Sequence, residues 1–205
     1  MQISVLPLGA LQTNCYVVAD EQAGSCAVID PGDSGSQVAQ ALENLGLTLR
    51  YILLTHGHFD HVGGVRALHE AAGAPVYLHK NDLTLPASIT AGPLTYTDTY
   101  AEGDVLAMDA VTFRVLETPG HTPGSVCLLA SQDGAEPALF TGDTLFQASC
   151  GRTDFPGGSM EDMAKSLRRL SALDGDFRVY PGHGGETTLE QERRYNPYMR
   201  EAGRP

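Results

Sequence analysis

Basic residues are scarce in this chain. Lysine and arginine together number 13 against 25 aspartates and glutamates, which leaves a formal net charge of −12. Clustered Lys and Arg normally meet a phosphate backbone, so this balance argues against a nucleic-acid partner. Bound metal ions would not enter that sum, and a local positive site stays open. Long apolar runs are missing as well. None approaches the roughly 18 residues that cross a bilayer, so no membrane partner is expected. The opening MQISVLPLGA has neither a basic start nor a long apolar core, and no secretory leader is expected from it. The four cysteines, Cys15, Cys26, Cys127 and Cys150, form no CxxC pair. They read as free thiols, and a cytoplasmic location is expected. Repeats, low-complexity tracts and internal linkers are also lacking, so residues 1–205 are read as a single domain.

What the chain does contain is short apolar segments separated by Gly, Asp and Pro. ISVLPL, NCYVVAD and SCAVIDPG read as strands. SQVAQALENLGL then sets Val38, Leu42 and Leu45 at i, i+4 and i+7 before Gly46, the pattern of an amphipathic helix. RYILLT is expected to be an apolar strand, VRALHEAAG a helix and APVYLH a further strand. VLAMDAVTFRVLETPGH reads as two strands with a turn near Asp109, followed by strands in GSVCLLA and PALFTGD. SMEDMAKSLRRLSAL predicts a helix capped by Ser159, with Met163, Leu167 and Leu170 on its core face. FRVYPGH is the last strand, and Thr188 with Gln191 matches a capping box at the start of a final helix. Strands in two batches, each followed by helices, predict an α/β fold: an αββα sandwich of two packed mixed sheets flanked by helices.

The chain has 7 histidines, and three fall within LLTHGHFDHVGG, residues 53–64. YILLTHGHFDH, VLETPGH, ALFTGD and RVYPGH each end an apolar strand on a polar residue. His56, His58, His61, His121, Asp143 and His183 are thereby placed at strand ends, where loops gather at the rim of a sheet. His69 and His79 break the pattern and read as ordinary surface or partly buried residues. Imidazole is the commonest metal ligand, and carboxylates complete such sites. One HxH pair cannot enclose an ion alone, so the distant His121, Asp143 and His183 are its natural completions.

THGHFDH followed by PGH, GD and PGH, with VIDPG ahead of the first helix, resembles the metallo-β-lactamase superfamily. Within it, TGDTLFQASCGRTDFPGGS is most similar to glyoxalase II-like hydrolases. The resemblance implies two divalent ions, zinc in the first instance, with iron or manganese as alternatives. His56, His58 and His121 would hold one ion, Asp60, His61 and His183 the other, and Asp143 would bridge them. Asp30 would steady the ligands; as part of DPG it also reads as an ordinary turn opening.

The implied activity is hydrolysis of a thioester such as S-lactoylglutathione by a hydroxide held between the ions, with Asp60 helping to orient it. The rival is an iron-dependent persulfide dioxygenase, which would use His56, His121 and Asp143 as a facial triad. Arg152, in CGRTDF, is expected to pair with glutathione carboxylates, since a planar guanidinium can do so bidentately; pairing with Asp154 is the competing expectation. One departure from the family is expected: the helical C-terminal domain with which glyoxalase II holds glutathione is missing, which leaves the substrate least determined.

Overall fold

A computed structural model describes residues 1–203. The first sheet is built from β1 (Gln2–Leu8), β2 (Thr13–Asp20), β3 (Ser25–Ile29), β4 (Thr48–Leu53), β5 (Val76–His79) and β6 (Asp98–Tyr100), paired in that order. Its first three strands are antiparallel, and β3 to β6 are parallel. The second sheet takes β7 (Val105–Met108), β8 (Val111–Glu117), β9 (Val126–Ser131) and β10 (Ala138–Gly142) from the middle of the chain. A small ribbon of β11 (Leu145–Phe146) and β12 (Ser149–Cys150) intervenes. The second sheet is then completed by β13 (Arg178–Pro181) and β14 (Thr187–Thr188), in the order β14-β13-β10-β9-β8-β7.

Strand periodicity explains the layers. On β2, Tyr16 and Val18 face the second sheet and join Phe113, Val115, Leu128 and Phe140 in one buried cluster. The intervening Cys15, Val17 and Ala19 face outward and are covered by α1 (Gly35–Asn44) and, through Val65 and Leu68, a helix over Val65–Ala72. A single turn at Phe59–Val62 precedes that helix, so the turn is α2 and the helix α3. A short α4 (Ala87–Thr90) follows, and then α5 (Met160–Ser171), α6 (Leu189–Tyr195) and α7 (Pro197–Ala202). Met163, Leu167, Leu170, Leu189 and Met199 from these last three cover the outer face of the second sheet. The expected αββα sandwich is the observed architecture. The strands β2, β3 and β10 are buried on both faces, which is why they read as near-continuous apolar runs.

Several local expectations hold at the atomic level. Ser159 Oγ accepts the Asp162 N–H, Thr188 Oγ1 accepts the Gln191 N–H, and Asp109 adopts a turn with φ 51°. Others are corrected. Val38 and Leu42 are buried, but Leu45 is 71% exposed. The helix stops at Asn44, and Gly46, at φ +68°, turns the chain so that Leu47 packs inward instead. RYILLT is fully buried only from Ile52 onward; Arg50 is exposed and the strand runs from Thr48 to Leu53. The helix α7 was not foreseen. Its signal is Asn196-Pro197: the Asn196 side chain accepts the N–H groups of Tyr198 and Met199, and proline suits the first helical position. Among the described residues no helix is long and apolar enough to cross a membrane. Cys15, Cys26 and Cys127 are buried free thiols, and Cys150 is half-buried.

Phe140 lies wholly inside the intersheet layer, with its ring 5.2 Å from those of both Tyr16 and Tyr180. Phe140→Ala should lower unfolding free energy by about 3–5 kcal/mol in a urea titration, whereas Leu45→Ala should change it by less than about 0.5 kcal/mol.

Candidate metal centre

The strand directions bring the polar strand ends together. β8 and β10 are both antiparallel to β9, and β10 is parallel to β13, so all three run the same way. Their C-terminal ends carry His121, Asp143 and His183 to one rim of the second sheet. On the first sheet β3 and β4 are parallel and end at Asp30 and at the THGHFDH segment. His58 caps α2, whose single turn carries Asp60 and His61 around toward His56.

Every residue singled out for the site except Arg152 converges there. The ligand atoms of His56, His58 and His121 lie within 4.8 Å of one another, and so do those of Asp60, His61 and His183. Asp143 stands between the two sets. Its Oδ1 is 3.4 Å from His61 Nε2, and its Oδ2 is 3.4 Å from His121 Nε2 and 3.7 Å from His183 Nε2. His69 and His79 are elsewhere, with their ring nitrogens paired to the Ala74 carbonyl and the Glu117 carboxylate.

Three of the rings, those of His56, His61 and His121, are held from behind through Nδ1. His61 Nδ1 meets Asp30 Oδ2 at 2.9 Å, and the same carboxylate accepts the Thr55 N–H and hydroxyl. Asp30 is thus both a turn residue, at φ 51°, and a buried support of the cluster. Thr55 Oγ1 lies 3.1 Å from His56 Nδ1, and His121 Nδ1 lies 2.7 Å from the Arg152 carbonyl. Thr13 donates to Asp60 Oδ2, while Asn14 Nδ2 donates to the carbonyls of Pro181 and Gly184 on either side of His183. The sequence reading missed Thr13 and Asn14, because polar residues at the start of a strand carry no local sign of a distant partner. Gly182 is required by close approach. A Cβ there would sit 2.3 Å from Asp143 Oδ1 and 2.7 Å from His61 Cε1.

Five buried atoms of the cluster find no hydrogen-bond partner among the described residues: Nε2 of His56, His58, His61 and His121, and Oδ1 of Asp143. Buried polar groups are normally paired, so a set of lone pairs turned toward one another fits divalent cations. The protonation directions agree for His56, His58 and the two carboxylates, whereas His61 and His183 lean toward a proton that a cation would displace. Burial, reinforced by neighbouring imidazoles, pushes His56 well below its ordinary value and His58 to about 4. Burial alone would raise Asp60 and Asp143. Asp60 is nonetheless lowered, mainly by its contact with His183, and Asp143 mainly by the charge of His61. His61 is raised despite its burial by Asp143 and Asp30, and His183 is raised by its contact with Asp60. Ionised carboxylates and neutral imidazoles are the forms that bind metal.

His58, Asp60, His121, Asp143 and His183 line a cleft of about 550 Å³, with His56 and His61 buried behind them. Leu11, Phe59, Ile89, Phe146 and Phe155 form much of its wall. Arg152 also lines it, but its guanidinium is engaged by Asp154 in two contacts of 2.7 Å and stacks 4.0 Å over Phe155.

Because Asp143 stands within 3.4–3.7 Å of imidazoles from both sets, Asp143→Ala should lose at least one bound ion per chain, as measured by elemental analysis of purified protein. Retention of two ions per chain would show that the carboxylate bridges nothing.

Comparison with known proteins establishes the family and the fold. The chain is 36% identical to the hydroxyacylglutathione hydrolase GloC of Haemophilus influenzae, over 97% of this chain and 98% of that one. Its fold superposes on the crystal structure of the BLEG-1 B3 metallo-β-lactamase with a TM-score of 0.85 at 35% identity, covering 97% of this chain and 99% of that one. It superposes on that of TTHA1623 in a di-iron-bound form with a TM-score of 0.80 at 40% identity, covering 95% and 99%. Residues 8–183 match the sequence description of the metallo-β-lactamase superfamily, and the chain belongs to that family.

Proposed function

We propose that the protein is a metal-dependent hydrolase of thioesters, with S-lactoylglutathione or a similar hydroxyacylglutathione as substrate. The observation that supports this reading is a pair of ligand sets with Asp143 standing between them beside a cleft. The likeness to GloC supports the thioester class. Zinc is the proposed ion in each set; iron and manganese remain open as alternatives, and the di-iron form of TTHA1623 keeps iron in view.

In this reading His56, His58 and His121 would hold one cation and Asp60, His61 and His183 the other, with Asp143 available to both. Bound there, a pair of cations would activate water at neutral pH and polarise the substrate carbonyl. The chain supplies the rest. Asp60, lining the cleft and fixed by Thr13, orients the attacking water. Asp30 holds the His61 ring in one orientation. The apolar wall keeps bulk water off the acyl carbon. The sulfur departs as thiolate, a good leaving group because ordinary thiols have a pKa of about 8.5.

Arg152 is proposed to meet a carboxylate of the glutathione moiety by exchanging it for Asp154. Both partners of the present pair are exposed, at 58% and 67% of their side chains, and exposed ion pairs are cheaply exchanged. No nucleic acid or membrane partner is proposed. A cytoplasmic location is proposed on the strength of the four free cysteines.

Anaerobic turnover of S-lactoylglutathione by the metal-loaded protein tests the reaction class. Oxygen uptake with glutathione persulfide, without thioester cleavage, would replace this reading by a persulfide dioxygenase. Asp143→Ala should reduce thioester turnover by about a thousandfold or more, roughly 4 kcal/mol at 1.36 kcal/mol per factor of ten.

Arg152→Ala should raise KM for the glutathione thioester and leave kcat and metal content intact, the signature of lost uniform binding. The carbonyl facing His121 survives that substitution. Asp154→Asn should lower KM by releasing the guanidinium. Equal losses on a neutral thioester would give Arg152 a structural role instead.

A further inference from the structure

Asp82 is fully buried, in a 3₁₀ turn over Lys80–Thr84 directly after β5, and the sequence reading assigned it nothing. Its carboxylate joins two distant loops. Oδ2 accepts the Gly57 N–H at 2.8 Å and the Thr122 hydroxyl at 2.9 Å, and Oδ1 accepts the Gly124 N–H at 2.6 Å. Gly57 is the residue between His56 and His58, and Thr122 directly follows His121. One side chain therefore ties the backbone carrying two imidazoles of a ligand set to the backbone carrying the third.

The approach is tight. A Cβ at Gly124 would lie 2.6 Å from Asp82 Oδ1, so this loop can close on the carboxylate only with glycine there. Ser125 Oγ, 2.8 Å from the Thr122 hydroxyl, also accepts the Thr122 N–H and fixes the same turn. The other ligand set is supported differently. Thr13 holds Asp60, Asp30 holds His61, and Asn14 holds the carbonyls beside His183. None of those bonds passes through Asp82.

We propose that Asp82 is a positioning residue that presets the spacing between the His56–His58 loop and the His121 loop, and so sets the affinity of the three-histidine set for its cation. The inference rests on the proposed reading of the cluster as a two-ion centre. Partners that orient metal ligands typically contribute about 10–100-fold in affinity. Asparagine cannot replace Asp82 without penalty, because both carboxylate oxygens accept and an amide nitrogen would face a donor.

The test is zinc titration of the full chain, stripped with a chelator, in competition with a chromophoric chelator. Asp82→Asn is compared with the native residue in two backgrounds. His183→Ala keeps the three-histidine set whole, and His121→Ala keeps the other. In the first, Asp82→Asn should weaken zinc binding by about 10–100-fold; in the second, binding should be unchanged. Equal weakening in both, or none in either, would overturn the inference, since a general loss of stability is not selective. Should circular dichroism show that Asp82→Asn does not fold, Thr122→Val, which removes one of the three bonds, should give a smaller loss confined to the first background; no loss there, or a loss in both, would be equally fatal. Failure of the unmodified protein to bind zinc, iron or manganese would instead remove the metal-centre reading itself.

Discussion

Tyr16, Ile29 and Leu53 of the first sheet share one buried cluster with Phe113, Leu128 and Phe140 of the second. This apolar interface fixes how the sheets stack, and the stacking decides which strand ends meet. His121, Asp143 and His183 leave the second sheet at the ends of strands running in one direction. Asp30 and the THGHFDH segment leave the first sheet at the ends of two parallel strands. Neither sheet carries both complete ligand sets. Each set takes members from both, so the centre exists only while the intersheet layer holds its register.

That arrangement works against stability. Four ring nitrogens and a carboxylate oxygen are buried without partners among the described residues, and a buried polar atom left unpaired costs about 1–3 kcal/mol. The fold tolerates this by over-determining everything around them. Asp30 alone receives three hydrogen bonds, from Thr55 twice and His61 once. Glu192, also buried, accepts from Ala148, Thr187 and Asn196 and so ties the β11–β12 ribbon beside the cleft to α6 and α7. Local rules broken at a centre and repaired around it are the ordinary mark of a functional site.

The cleft outside the metal centre has a different character. Its wall is largely aliphatic and aromatic, and its one cation is paired with a neighbour on the same loop. Around the candidate ligands the cleft has a rim of exposed side chains, among them Leu11 at 55% and Phe59 at 47% exposure. Exposed rims vary more readily than buried clusters.

Much of this could be read along the chain, because the signals are local. NCYVVAD reads as a strand from its β-branched and apolar residues alone, and the packing of the sheets then decides that Tyr16 and Val18 face one cluster and Cys15 and Val17 the other. Ser159 and Thr188 cap helices that begin one residue later. His56, His121, Asp143 and His183 were visible because each closely follows an apolar run, with His58 and His61 beside the first of them, whereas Asp60 entered only through the family resemblance. Other features rest on contacts between distant parts of the chain. Leu45 fits its helix by spacing, but the turn at Gly46 gives its place to Leu47. Thr13 meets Asp60 across 47 positions, and Asp82 meets Gly57 across 25 and Gly124 across 42. A buried carboxylate in KNDLT looks in sequence like any turn aspartate. Its role depends on which N–H groups the packed sheets bring within 3 Å, and hydrogen bonding at that range is fixed by tertiary register rather than by neighbours in the chain.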